Sequence, residues 1–300
     1  MSASTQPVLT SRDEIATRTI PPMVFSQADS PLTNPLTTPE GLTPVERAIR
    51  RFSVSGNAIV TGGAGHLGLA ITQGLLEHGA TGIAVFDLSS TITTAQPEIK
   101  KLQNEFPQAK IITLEVNVTD ESALSKATQE VKTTLGSIDL LLCFAGVLAN
   151  RNSVETSAAE WRKVLEINTT GSWLCAQAVA RHMIEQGQGG AMLFVGSIAG
   201  HYVLPGTPLI PYSVSKAAVL HMAKGLAAEW TRYGIRVNSI SPGYINTIMN
   251  AGTAHEPTKK LCAERNPMGR MGERDELIGA IILLCSRVAG RYINGQDIKG

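Results

Sequence analysis

The sequence has few charged residues and few aromatic residues, and its charges nearly cancel. Asp, Glu, Lys and Arg make up 17% of the 300 residues, aromatic residues make up 5%, and the formal net charge at pH 7 is +1. A nucleic-acid-binding surface needs clustered Lys and Arg side chains, so this composition excludes such a function. No apolar run approaches the roughly 20 residues of a membrane-spanning helix. We therefore expect neither a nucleic-acid partner nor a membrane partner.

Cysteine is also scarce. The four cysteines are Cys143, Cys175, Cys262 and Cys285. They lie far apart in the sequence and form no C-x-x-C motif, which argues against both a disulfide framework and a zinc site. The sequence therefore predicts reduced thiols, no metal site and a cytoplasmic protein.

The first fifty or so residues differ in composition from the rest of the chain. Residues 21–44 contain six prolines among Ser, Thr and Asn residues, and such a segment cannot bury a core of its own. We predict an extended or disordered arm over residues 1–52 and a catalytic domain over residues 53–300. The arm has no apolar stretch typical of a secretory signal. Arg12 and Arg18 leave a mitochondrial presequence open, and an arm that packs along a partner subunit is another alternative.

A glycine-rich segment follows the arm and lies between two predicted strands. The apolar strand Asn57–Thr61 runs into Gly62–Gly68, a helical pattern follows, and the second strand, Gly82–Phe86, is closed by Asp87. This order is the fingerprint of dinucleotide binding. Glycines let the backbone approach a pyrophosphate, and the helix N-terminus attracts its negative charge. Asp87 can accept hydrogen bonds from ribose hydroxyls and would repel a 2′-phosphate, which predicts NAD, with NADP as the alternative.

Strands and helices continue to alternate, and 43% of the residues are apolar, which suits a well-buried α/β core. Further strands are predicted at Lys110–Val116, Asp139–Cys143, Ala191–Val195, Ile235–Ile240 and Tyr292–Ile298, and the main later helices at Ala158–Gln186, Tyr212–Tyr233 and Glu273–Ser286. The pattern predicts a single α/β domain with a Rossmann-type, doubly wound parallel sheet of about seven strands and helices on both faces. Ligands of such sheets bind at the carboxyl ends of the strands.

Tyr212 and Lys216 lie four residues apart on a predicted helix, so their side chains share one face. A cation beside a tyrosine favours the phenolate and lowers its pKa, which would let Tyr212 exchange a proton with a substrate near neutral pH. Alone, such a pair is more often a core aromatic residue beside a solvated lysine. Its interpretation depends on the motifs that precede it.

Five features stand in a characteristic order along the chain. They are Thr61–Gly68, Asp87, Asn168, Ser197, and Tyr212-x-x-x-Lys216 followed by Pro242-Gly243. In this order they resemble the short-chain dehydrogenase/reductase family, and the resemblance covers about residues 55–298. It implies a nicotinamide cofactor and hydride transfer between an alcohol and a ketone.

The resemblance also implies roles for individual residues. Tyr212 would be the general acid–base, and Lys216 would lower its pKa and bind the nicotinamide ribose. Ser197 would stabilise charge on the substrate oxygen. Asn168 would support a helix kink and a water that links Lys216 to solvent. The expected cofactor contacts are Gly62, Gly65, His66, Leu67, Gly68, Asp87, Asn117, Val118, Ala145, Gly146, Tyr212, Lys216, Pro242, Gly243, Ile245 and Thr247.

Family members of this kind are often homotetramers, so we expect a tetramer or a dimer, with a substrate lid near residues 248–272.

Several positions depart from the family pattern. His66 stands where the short form has glycine, so the loop has the spacing of the extended branch. Asn117 replaces an aspartate, and Cys143 and Phe144 replace two asparagines. His201, shortly after Ser197, is a candidate for the pocket wall.

The segment between Ser197 and Tyr212 is longer than the commonest version, as in fungal-type sugar-alcohol and ketose reductases. This similarity favours an enzyme that interconverts a secondary alcohol and a ketone, with a polyol or ketose as substrate. A reductase of a larger apolar ketone or imine is an alternative, since the lid contains Ile248, Met249 and Met268. A nucleotide-binding sensor or scaffold without turnover is an alternative from another class.

Overall fold

The computed structural model describes residues 19–204, 207–246 and 256–300. Within these ranges seven strands form one sheet in the order β3-β2-β1-β4-β5-β6-β7, and all neighbouring strands are parallel. The strands are β1 Asn57–Thr61, β2 Gly82–Asp87, β3 Lys110–Glu115, β4 Leu140–Cys143, β5 Gly190–Val195, β6 Ile235–Ser241 and β7 Asp297–Lys299. The predicted Rossmann-type doubly wound sheet is confirmed.

Helices cover both faces of this sheet. The α-helices of the described ranges are α1 Pro44–Arg51, α2 His66–Glu77, α3 Ser89–Glu105, α4 Glu121–Leu135, α5 Ala158–Leu165, α6 Gly171–Gln186, α7 Ile210–Trp230, α8 Glu256–Glu264 and α9 Ile278–Cys285. None of the helices in the described ranges is long and apolar enough to cross a membrane.

The hydrophobic core lies in two layers because successive strand residues face opposite sides of the sheet. Val60 packs in the layer beneath α2 and α9, and its neighbour Ile59 packs in the layer beneath α4, α6 and α7. Both side chains are fully buried. The burial of β1 and β4 on both faces explains the apolar runs Ala58–Val60 and Leu140–Cys143. The order of the strands reverses between β1 and β4, and this switch point forms a crevice at the carboxyl ends of the strands.

The structure differs from the sequence-based expectations in three places. The arm contains a helix, α1, whose start is a capping box of Thr43 and Glu46 with Pro44 in the first turn. The predicted long helix over residues 158–186 contains a π-helical turn at Glu166–Thr170, between α5 and α6. The last strand begins only at Asp297, because the chain turns before it through Gly295, whose φ is 70°.

Candidate active site

The fold brings the predicted site residues to the carboxyl ends of the strands. Thr61 ends β1, Asp87 ends β2, Ser197 follows β5 and Pro242 follows β6. Ala145 follows β4, and its backbone N–H lies 3.3 Å from Oγ1 of Thr61. Since all strands are parallel, these positions share one edge of the sheet, as the sequence predicts.

The glycine loop closes tightly on this edge. Gly62 has a φ of 64°, and a Cβ on it would lie 2.7 Å from the backbone nitrogen of Ala145. A Cβ on Gly68 would lie 2.3 Å from the carbonyl oxygen of Gly62. Gly65 precedes α2 and offers no side-chain cap, so the first N–H groups of the helix, at His66, Leu67 and Gly68, donate to no capping side chain. This set of N–H donors fits the pyrophosphate of a dinucleotide.

His66 is the first residue of α2, and its side chain lies beside the glycine loop. Its Nδ1 atom is buried and has no hydrogen-bond partner in the described part of the chain. Burial lowers the pKa of His66, and the nearby positive charge of Arg274 acts in the same direction. The ring is therefore neutral near pH 7, and it can offer one N–H to an acceptor outside the protein.

Asp87 orders the second half of the expected nucleotide site. One carboxylate oxygen accepts a hydrogen bond from the N–H of Ala64 at 3.1 Å, and the other accepts one from the N–H of Leu88 at 2.8 Å. The carboxylate thus connects the glycine loop to the end of β2.

Asn117 is oriented by its own turn, since its Oδ1 accepts hydrogen bonds from both the N–H and the Oγ1 of Thr119. Val118 beside it is buried.

Tyr212 and Lys216 lie on the same face of α7. Lys216 is buried, its Nζ donates to the carbonyl oxygen of Val195 at 2.7 Å, and this Nζ lies 5.7 Å from the centre of the Tyr212 ring. Burial lowers the pKa of Lys216 to about 8, an effect that the Cys143 thiol opposes.

The sequence predicts that Lys216 lowers the pKa of Tyr212, and the structure shows a shift in the other direction. Burial raises the pKa of Tyr212, and only its hydrogen bond with Ser197 opposes this rise. Desolvation penalises the phenolate, while the Lys216 ammonium makes its short contact with Val195 instead. Spacing in the sequence shows which side chains share a helix face, but it does not show how deeply they are buried.

Ser197 follows β5 and begins a short 3₁₀ turn, Ile198–Gly200. Its backbone is extended, and its Oγ accepts a hydrogen bond from the N–H of Ala199 at 3.1 Å. Because this bond occupies a lone pair of Oγ, the hydroxyl hydrogen remains available to an acceptor such as a substrate oxygen. Ser197 interacts with the Tyr212 side chain and opposes the rise of its pKa, so the two hydroxyl groups face the same space.

Asn168 lies in the π-helical turn and is almost completely buried. Its Oδ1 accepts from the N–H of Val147 at 2.8 Å, and its Nδ2 donates to Oγ of Ser215 at 3.0 Å. The turn provides the irregularity that the resemblance implies at Asn168, and such turns often occur at functional sites. Ser215 donates in turn to the carbonyl oxygen of Tyr212 at 2.7 Å.

Ser215 is a residue that the sequence analysis missed. It is fully buried on α7 and connects Asn168 with the backbone that carries Tyr212. A small polar residue directly before Lys216 was the available signal. The signal is weak, because serine at a helix position is more often solvent-exposed.

The segment after β6 contacts the Ser197 turn and the residues that end the expected lid. The carbonyl oxygen of Pro242 accepts from the N–H of Ile198 at 3.2 Å, and Gly243 follows it. Ile245 pairs with Gly272 in an isolated parallel bridge. Thr247 and residues 248–255 lie outside the described residues. Gly146 lies at the other side of the crevice, where a Cβ on it would be 3.8 Å from Nζ of Lys216.

Among the described residues, no group of three or more His, Cys, Asp or Glu side chains could hold a metal ion. The site therefore consists of backbone N–H donors, one carboxylate and a Ser–Tyr–Lys set around one crevice. A parallel sheet with this combination at its switch point defines an oxidoreductase that uses a dinucleotide.

Comparison with known proteins identifies the family. Residues 62–299 match the family model described as enoyl-(acyl carrier protein) reductase. The chain is 34% identical over 248 residues to gluconate 5-dehydrogenase of Gluconobacter oxydans, covering 82% of this chain and 93% of that protein. It is 34% identical to NADP-dependent mannitol dehydrogenase of Hypocrea jecorina, covering 87% and 96%. The chain belongs to the short-chain dehydrogenase/reductase family.

A solved structure supports the same assignment. The gluconate 5-dehydrogenase from Burkholderia cenocepacia, determined in complex with NADP and tartrate, superimposes with a TM-score of 0.75 at 31% identity. The alignment covers 84% of this chain and 96% of that one. The match spans nearly the whole of each relative.

Proposed function

We propose that this protein is an NAD-linked dehydrogenase that interconverts a secondary alcohol of a polyol and the corresponding ketose. The observation that carries the proposal is the joint placement of Ser197, Tyr212 and Lys216, with Asn168 and Ser215 behind them. The relatives named for gluconate and mannitol act on hydroxylated carbon chains, which supports this substrate class.

Each side chain of this set has a separate task. The nicotinamide supplies or accepts the hydride when it is bound. Tyr212 gives its hydroxyl proton to the ketone oxygen in reduction and takes it back in oxidation. Ser197 donates a hydrogen bond to the same oxygen and stabilises charge that develops there. Lys216 would bind the ribose of the cofactor and add positive charge beside Tyr212, while Asn168 and Ser215 fix the helix that carries both.

The cofactor would lie across the carboxyl edge of the sheet. The loop Gly62–Gly68 and His66 would hold the pyrophosphate, and Asp87 the adenosine ribose. The turn at Asn117 and Val118 would border the adenine. Further contacts are proposed for Leu67, Ala145, Gly146, Pro242, Gly243, Ile245 and Thr247.

Cofactor preference is the first test of this arrangement. Asp87 carries a negative charge at the ribose position, and residues 88–92 include neither Lys nor Arg. A 2′-phosphate would be repelled, so NADH should bind at least about tenfold more tightly than NADPH. Asp87→Asn removes the charge but keeps an acceptor oxygen. The dissociation constants of NADH and NADPH, measured by calorimetry, should therefore differ less in this variant than in the wild-type protein.

Glu115 provides the matched control for this test. It is exposed on β3 and pairs in register with Asp87, so Glu115→Gln removes a neighbouring carboxylate that is not among the proposed cofactor contacts. That variant should keep the wild-type preference. At least tenfold tighter binding of NADPH by the wild-type protein would overturn the NAD assignment; the relative from Hypocrea jecorina is named as NADP-dependent.

The substrate class is tested with a panel of compounds and both cofactors. We expect NAD-dependent oxidation of D-mannitol, D-arabinitol or gluconate and little reduction of bulky apolar ketones. The second candidate, a reductase of a larger apolar ketone or imine, is favoured by the exposed side chains of Leu148, Val203 and Met268 on segments near the carboxyl ends of the strands. Faster turnover of apolar ketones than of every polyol would select that candidate.

The assembly and the location of the protein are also proposals. Trp161 and Trp173 are 37% and 40% exposed on α5 and α6, and such indole surfaces suit a homodimer or homotetramer. All four cysteines are buried and unpaired, which suits a cytoplasmic protein. We propose residues 1–52 as an arm outside the catalytic domain and residues 248–272 as a substrate lid.

A further inference from the structure

The turn that follows the active-site serine is held from the side opposite α7 by strand β7. Asp297 and Lys299 lie two residues apart on β7 and bind two consecutive residues of the turn. Nε2 of His201 donates to Oδ2 of Asp297 at 2.9 Å, and Nζ of Lys299 donates to the hydroxyl oxygen of Tyr202 at 3.1 Å. His201 was a candidate for the pocket wall, but its Nε2 is directed to β7.

Asp297 is nearly buried and has a full set of donors. Its other oxygen, Oδ1, accepts from Oγ of Ser239 at 2.6 Å and from Oγ of Ser241 at 2.9 Å. Both serines are buried on β6, immediately before Pro242. A carboxylate at 9% side-chain exposure is costly to bury without such partners. The Asp297 carboxylate therefore connects the ends of β6 and β7 to the turn after β5.

The turn cannot adjust easily between α7 and β7. A Cβ on Gly200 would lie 2.9 Å from the backbone nitrogen of Ala217, so the turn is already in tight contact with α7. The N–H of Gly200 donates to the carbonyl oxygen of Ser197 at 2.9 Å, and the N–H of His201 donates to that of Ile198 at 3.0 Å. A displacement of His201 is thus transmitted to Ser197 through a short hydrogen-bonded turn.

We propose that His201 and Asp297 are positioning residues of the active site, which orient the Ser197 hydroxyl toward Tyr212 by holding the turn between β7 and α7. The inference rests on the proposed function for its effect on turnover. It predicts that the pair controls the chemical step and leaves cofactor binding unchanged, because neither side chain lies in the nucleotide loop. The hydrogen bond from Lys299 to Tyr202 holds the same turn one residue after His201.

The test compares His201→Leu with His201→Gln. Leucine fills the space but provides no donor, whereas the glutamine amide can still donate to Asp297. We expect kcat to fall at least about tenfold in the leucine variant, with the dissociation constant for NADH within about twofold of wild type, and glutamine to recover most of the loss. Hydrogen exchange of the amides at residues 197–202 should accelerate in the leucine variant and return toward wild type in the glutamine variant.

Asn57→Ala is the control for a general loss of stability. Asn57 is buried at the amino end of β1 and donates to the carbonyl oxygen of Leu135 and to Ser137, far along the strands from the turn. It should lower the melting temperature without changing kcat or exchange at residues 197–202. Unchanged exchange in His201→Leu, or equal defects in the leucine and glutamine variants, would overturn the inference. A wild-type protein without turnover would contradict the proposed function instead, and the exchange measurement would still decide on the turn.

Discussion

Tyr212→Phe should lower kcat about a thousandfold and leave the binding of NADH nearly unchanged. The substitution removes the hydroxyl group and keeps the ring, so the packing of α7 is preserved. General acid–base catalysis contributes about 10² to 10⁴ in rate, and the hydroxyl of Tyr212 is the group placed beside Ser197 to supply it. Initial rates with the best substrate of the panel, together with calorimetric titration of NADH, measure both quantities.

The control for this substitution is Tyr292→Phe. Tyr292 is fully exposed in the turn before β7, so removal of its hydroxyl should alter neither kcat nor NADH binding. Full activity in Tyr212→Phe would show that the proton comes from another group. Loss of NADH binding together with activity would show that the phenol supports the cofactor site and would leave its acid–base role without support.

The fold could be predicted because its signals are local. The five residues of β1 are all buried, and the apolar run Ala58–Val60 lies directly before Thr61 and the glycine loop. The same pattern recurs at β4, where Leu140–Cys143 are buried on both faces. β7 was predicted too long, because apolar residues near Ile293 occur in a turn whose shape depends on contacts with β6. Periodicity cannot distinguish such a turn from a strand.

The site was predictable where a motif lies in one segment and unpredictable where two distant segments meet. Tyr212 and Lys216 are found from their spacing together with the motifs that precede them. His201 and Asp297 are separated by 96 residues and meet only through the order of strands β5, β6 and β7. The contact of Lys216 with Val195 is of the same kind. No local pattern encodes these pairings, and they determine the electrostatics of the site.

Lys216→Met should lower kcat at least about a hundredfold. It should also remove a rise of the free energy of unfolding with pH that the wild-type protein shows. The side chain is 7% exposed, and its pKa is lowered from 10.5 to about 8 by burial. Between these values the unfolded chain binds a proton that the folded chain has released. The free energy of unfolding of the wild-type protein therefore rises with pH over this window, by up to about 3 kcal/mol.

Methionine has nearly the same length and no charge, so Lys216→Met lacks this rise. Urea unfolding of both proteins without cofactor at pH 7 and pH 10 should show the variant gaining relative stability at pH 7 and losing that advantage at pH 10. Lys224→Met, at an exposed position on the same helix, should follow the wild-type curve. Parallel curves for wild type and Lys216→Met would mean that Lys216 keeps its proton in the folded state. The ammonium would then be charged throughout the pH range of catalysis, and Tyr212 would have a permanent cation beside it instead of a group that loses its charge near pH 8.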